Sequence, residues 1–205
     1  LGVARRQLDP GDPLRGVPPT MEDDTELRRR IQLAPEGYSV AGPESAYVYH
    51  ALSAHPDVLD ASATSPSPGQ VVVTLLSRQG DGTASPALID AVADRLRDDG
   101  VRPLTDQVIV QGAEVVPYSV HAAVYTYAGP DAALVLAESR RRLEQYVEAS
   151  HRLGRDVSLS GIYSALHAEG VQRVELSAPV SDVTVTPTQA AWCTGITIVS
   201  GGVDE

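Results

Sequence analysis

The sequence has 205 residues, with 27 acidic against 16 basic side chains and a formal net charge of −11. So acidic a surface repels phosphate backbones and anionic lipid, so neither nucleic acid nor a membrane is an expected partner. A single cysteine, Cys193, excludes an intrachain disulfide and a cysteine-based zinc site.

No apolar run approaches the roughly 18 residues that a membrane helix needs. The opening Leu1-Gly2-Val3-Ala4-Arg5-Arg6 leads into Pro, Asp and Gly, not into the apolar core of a signal peptide. Because it opens at Leu, we expect a fragment of a longer protein. All 16 basic residues are Arg, and Lys, Asn and Phe are absent. Their codons are A/T-rich, so a GC-rich genome explains the bias. Eight tyrosines and Trp192 must supply the aromatic packing.

Residues 9 to 19, DPGDPLRGVPP, carry Pro10, Pro13, Pro18 and Pro19 and predict an extended arm or linker over 1–20. TMEDDTELRRRIQLAP then predicts a short helix. Thr20 is its expected cap, Asp23 and Asp24 suit its positive end, and Leu27 and Ile31 share a face. Arg28-Arg29-Arg30 reads as the solvated side of that helix, not a phosphate patch. Glu22-Asp23-Asp24 reads as its N-terminus, not a cation site.

GPESAYVYHALSA predicts a helix opened by Pro43, with Ala46, Tyr49 or His50, and Ser53 along one side. VLDASATS and QVVVTLLS predict two strands joined by the turn PSPG. SPALIDAVADRLRDDG predicts a helix capped by Ser85 and closed by Gly100. Its apolar stripe is Leu88, Ile89, Val92 and Leu96.

GVRPLTDQV follows, with Arg102, Thr105 and Asp106 between a helix end and a strand. Pro103 blocks the helix, and an Asp or Thr at such a corner commonly caps backbone groups. A catalytic Asp needs a partner, and no His, Cys or second carboxylate is near in sequence. A structural corner is expected, with Arg102 pairing with Asp106 or touching another subunit.

QVIVQGAE and VVPYSVHAAVYTYA predict strands, the second alternating Val120, Ala122, Val124 against Ser119, His121, Ala123. GPDAALVLAESRRRLEQYVEAS predicts the longest helix, led by Pro130 and Asp131, with Ala133, Leu136, Arg140, Leu143 and Val147 on one side. GRDVSLSGIYSALHAEG predicts another, capped by Ser158 or Ser160. VQRVELSAP, DVTVTP and TGITIV predict three closing strands.

Two stretches match: VYHALSAHPDVLDASATSP (48 to 66) and IYSALHAEGVQRVELSAP (162 to 179). Val48 aligns with Ile162, Tyr49 with Tyr163, Leu52 with Leu166, Val58 with Val171 and Pro66 with Pro179. Each reads as helix, tight turn, strand, then a turn to another strand. The expected fold class is α+β: two related modules, 21–112 and 113–205, each with helices on a small mixed sheet.

Nothing in the pattern names a catalytic, cofactor or metal site. His50, His55, His121, His151 and His167 show no ligand spacing. There is no Gly-x-Ser-x-Gly elbow, and a phosphate loop would need a Lys. Cys193, beside Trp192, reads as a small buried hydrophobe.

In order, GPESAY, the V-x-D strand after His55-Pro56, the G-x-V-x-V hairpin and VRPLTDQV resemble the baseplate J-like proteins of contractile-tailed bacteriophages. The resemblance runs from about Met21 through Val120 and more weakly to about Val199. It implies a non-enzymatic structural component of the tail baseplate, without cofactor or metal. The implied partners are other wedge and tail proteins, and copies of itself in an inter-wedge ring. The implied location is the virion, and the host cytoplasm during assembly. The resemblance also implies that the family's N-terminal portion is missing. The alternatives are a baseplate-like part of a non-viral contractile injection machine or adaptor, and an enzyme whose site lies partly outside this chain.

Overall fold

The computed structural model describes residues 3–38, 43–98, 101, 103, 105–129 and 131–203. The chain divides into two compact units, Leu1–Ala113 and Glu114–Glu205. Among the described residues are five α-helices and three small sheets, so the fold class is α+β. No described helix is long and apolar enough to cross a membrane.

The first unit opens with β1 (Gln7–Asp9), which pairs antiparallel with β2 (Thr20–Met21). The extended arm expected over 1–20 is therefore not seen in that form: the segment doubles back. Its tip is a 3-10 turn, Pro13–Arg15, capped by the Asp12 carboxylate, which accepts from the N–H groups of Leu14 and Arg15. Gly11 (φ +68°) makes the reversal possible, because a Cβ there would lie 2.4 Å from the Val17 carbonyl oxygen.

Helix α1 (Asp24–Leu33) is capped by Asp23, which accepts from Glu26 N–H at 2.8 Å. The expected cap, Thr20, lies in β2 instead. Chain reversal brings the helix start three residues later, onto a carboxylate that also suits the helix dipole. Helix α2 (Glu44–Ala54) begins after Pro43, as the sequence suggested. It is buried more widely than the expected side, with Tyr47, Val48, Ala51 and Leu52 inside as well as Ala46 and His50. A helix packed by several neighbours loses the one-sided pattern.

Strands β3 (Val58–Ser67) and β4 (Gln70–Ser77) form the expected hairpin, with Pro68-Gly69 as its turn. Helix α3 (Pro86–Leu96) carries the expected cap: Ser85 Oγ accepts from Leu88 N–H at 3.2 Å. Leu88, Val92 and Leu96 are buried and Ile89 packs beside them, each adding about 1.5–3 kcal/mol of burial. Gly100 lies outside the described residues. Strand β5 (Gln107–Gly112) adds parallel to β4, giving the order β3-β4-β5 under α2 and α3.

In the second unit β6 (Glu114–Thr126) is the central strand, and its alternation is as read: Tyr118, Val120, Ala122 and Val124 face the core. Helix α4 (Ala132–Ser150) is capped by Asp131. Its buried residues are Val135, Ser139, Leu143 and Ser150, rotated from the expected stripe, which shares only Leu143. Two buried serines hid that face. Ser139 Oγ donates to the Leu166 carbonyl at 2.9 Å and satisfies the end of α5 (Leu159–Leu166). The cap of α5 is Ser158, which accepts from Gly161 N–H at 3.1 Å.

β7 (Val171–Ala178) runs antiparallel to β6, and β8 (Gln189–Val203) runs parallel to it on the other side. The strand expected at DVTVTP is not formed; only an isolated bridge joins Val183 to Val157. Side-chain acceptors take over there. Asp182 accepts from Leu159 N–H at 2.7 Å, and Asp156 from Val185 N–H at 2.8 Å.

The matched stretches occupy matched places up to the strand. Val48 and Ile162 are buried, as are Leu52 and Leu166, and Val58 and Val171 each open a strand. Beyond that they diverge. β3 turns directly into its neighbour β4, whereas β7 lies beside the earlier β6 and β8 lies on the far side.

Candidate interaction surfaces

The charged residues that the sequence left to solvent are organised in the first unit. Glu22 is 2% exposed and accepts from the backbone N–H of Arg6 at 2.8 Å and from Arg30 at 2.9 and 3.0 Å. Arg29 meets the buried Asp60 of β3 at 2.7 Å, and Arg78 meets Glu26 at 2.7 Å. Arg28, with Asp24 at 3.6 Å, lies on the solvated side that was expected; Arg29 is half-exposed, and Arg30 departs from the expectation, being 12% exposed.

A buried carboxylate must be paired, and these pairs join residues that the local helical pattern does not connect. Arg5 also pairs with Asp24 and donates to the Glu22 carbonyl at 2.9 Å. Arg6 reaches the carbonyls of Leu52 and His55 at 2.6 and 3.1 Å, where its charge complements the C-terminal end of α2. Burial, with the neighbouring Arg30 next, holds the Arg6 guanidinium below its ordinary pKa. The network ties the N-terminal segment to α1, α2 and the β3–β4 sheet.

At the corner between α3 and β5, Asp106 Oδ2 accepts from the Tyr47 hydroxyl at 2.7 Å. Asp106 N–H donates to the Pro103 carbonyl at 3.2 Å, and Gln107 N–H to the Gly69 carbonyl at 2.7 Å. These bonds join α2, the corner and the hairpin turn. Arg102 lies outside the described residues.

The histidines have separate surroundings. His50 is buried and its Nε2 has no hydrogen-bond partner; burial first, then Arg95, holds it below the ordinary histidine pKa. His151 is buried too, its Nδ1 bonded to the Ala191 carbonyl at 2.8 Å and its ring 5.0 Å from Trp192. His55 Nδ1 accepts from Asp57 N–H at 3.1 Å, while His121 and His167 are exposed. Cys193 is half-buried and donates to the Gly195 carbonyl at 3.4 Å; burial raises its thiol pKa. Among the described residues, no three metal-ligating side chains cluster.

Two of the exposed surfaces among the described residues carry apolar side chains next to charge. The first is the hairpin tip: Leu14 is 99% exposed, with Val17 and Pro18 exposed beside it. The second is the outer face of the β7-β6-β8 sheet, opposite α4 and α5. There Arg173 stacks 3.8 Å above the Tyr125 ring and also pairs with Glu175, which accepts from the Tyr125 hydroxyl at 3.2 Å. A Cβ on Gly201 would come 2.6 Å from that ring, so the glycine gives Tyr125 its seat. A cleft of about 310 Å³ opens beside this group. Period-2 alternation marks which residues face outward here, but a sequence gives no sign that no helix covers them.

Comparison with known proteins adds a separate line of support. The family described as "Baseplate J-like central domain" matches residues 39–112, and "Baseplate J-like protein C-terminal domain" matches 118–199. The chain is 50% identical over 192 residues to "Baseplate protein J" of Escherichia phage P2. That alignment covers 92% of this chain and 64% of the P2 protein, so the chain spans a little under two thirds of its relative. A solved baseplate of the anti-feeding prophage matches with a TM-score of 0.56 at 14% identity, over 88% of this chain and 43% of that one. At that identity the likeness is one of fold.

Proposed function

The chain belongs to the baseplate J-like family, and from that premise we propose that it is a structural component of a phage or prophage contractile-tail baseplate. The observation that carries this reading is the 50% identity with the P2 baseplate protein, which extends through both units.

In this reading the chain works without catalysis, cofactor or metal. Its partners are other baseplate wedge and tail proteins and further copies of itself in an inter-wedge ring. It resides in the virion tail and, during assembly, in the host cytoplasm. The physical character of the chain supports this. Its buried ions are paired, its corner Asp106 serves a structural hydroxyl, and its acidic charge disfavours nucleic acid and lipid. A baseplate-like part of a non-viral injection machine is the second reading; the fold neighbour is compatible with it, and the identity with a phage protein favours the first.

The test is genetic. Deleting the gene from an inducible prophage should leave particles without complete tails, and supplying the full-length protein in trans should restore them. Complete, infective tails in the deletion strain would reject the reading.

A further inference from the structure

The hairpin tip and the outer-face cleft have complementary character. Leu14 stands out in solvent on a turn closed by its own hydrogen bonds. Asp12 and Val17 exchange backbone bonds of 3.0 and 2.9 Å, and the Asp12 carboxylate holds the N–H groups of Leu14 and Arg15. Such a tip loses little freedom on binding, so its apolar contact is not offset by ordering. Single exposed leucines are common on protein surfaces. One presented on a prefixed turn, among exposed proline and valine, is a ready-made anchor.

The cleft is its counterpart. Ala123 and Val199 give its lining apolar surface, Ser177 and Thr197 are small, and His121 and Glu175 add polar groups. Val199 is 52% exposed. Arg15, beside Leu14, is 83% exposed and pairs directly with Asp12 at 3.3 Å on the surface, a pairing cheap to exchange. The carboxylate of Glu175 is opposite in charge and 55% exposed, and it already serves Arg173 and the Tyr125 hydroxyl, so Arg15 would share an exposed pairing there and not meet a bare charge.

We propose that Leu14 of one copy seats in the outer-face cleft of a second copy, with Arg15 turned toward Glu175. This rests on the baseplate reading and adds which two surfaces meet. Two different patches of one chain make a head-to-tail contact, the kind that repeats around a ring. Each contact is small, and the assembled particle holds it by repetition.

The test uses full-length protein in purified tails. Leu14→Cys and Val199→Cys are combined with Cys193→Ser, and the tails are mildly oxidised. Disulfide-linked multiples of the chain that need both cysteines are the expected result. A link within one chain, a link to a different protein, or no link at all would overturn the proposal. Leu14→Asp gives a second readout. It should lower incorporation into tails about tenfold or more, the equivalent of one buried leucine, without moving the urea midpoint of the isolated protein. Incorporation at the wild-type level would overturn the proposal while leaving the baseplate reading intact. Absence of the wild-type chain from tails would overturn both.

Discussion

The hydroxyl of Tyr47, a side chain 1% exposed, donates to Asp106 Oδ2 at 2.7 Å across 59 positions of sequence. This bond explains why an Asp stands at the corner before β5. It satisfies a phenol buried in the core between α2 and the sheet. Asp106→Ala should destabilise the first unit by about 1–3 kcal/mol, the cost of removing a hydrogen bond from a buried polar group. Tyr47→Phe should cost less. The double variant should cost less than the two single losses added, because both act on one bond. Urea unfolding of the three variants measures the coupling, and simple additivity would contradict it.

Glu22 offers a sharper stability test. Its carboxylate holds Arg30 and the Arg6 N–H inside the first unit. Glu22→Gln should cost about 3–5 kcal/mol, because it leaves Arg30 without its counter-charge. Glu22→Leu combined with Arg30→Met should recover part of that loss. A neutral Glu22→Gln in a urea titration would show that the network contributes nothing.

His50 sets a pH dependence. Its folded pKa lies below the ordinary 6.5 because it is buried, and Arg95 adds to the effect; the Gly37 backbone and Asp98 oppose it. The unfolded chain therefore takes up the proton first as pH falls. Stability is full above about pH 6.5 and declines below it, until the folded histidine also titrates. The slope between pH 7.5 and 5.5 should flatten in His50→Gln. An unchanged slope would place the titration elsewhere.

Cys193 should be a slow nucleophile. Burial raises its thiol pKa, so less thiolate is present at neutral pH. Labelling by a water-soluble disulfide reagent at pH 8 should run more slowly in the folded protein than in urea. Equal rates would contradict the burial seen beside Tyr118.

What the sequence made legible was local. Ser85, Pro86 and the Leu88-Val92-Leu96 stripe define α3, and Pro68-Gly69 between two β-rich runs defines the β3–β4 hairpin. Local chemistry decided both. Features set by distant partners were hidden. Helical i, i+3 and i, i+4 spacing links Arg29 to neither Asp60 nor any other carboxylate that it meets, and Arg30 sits eight positions from Glu22, so both arginines looked like solvated charge. Ser139 and Ser150 look like surface residues until α4 is seen turned inward. The prolines of 9–19 suggested extension, whereas Gly11 and Asp12 turn the chain back. The open tip and cleft were illegible for a further reason: exposure of an apolar residue is a property of what fails to cover it.

The central claim is best tested by composition. Tails purified from induced cells, analysed by quantitative mass spectrometry, should contain the full-length protein in fixed ratio to the tail tube and sheath proteins. That ratio should hold through a salt wash and a density gradient. Tails that are complete and infective yet lack the protein would contradict its assignment to the baseplate.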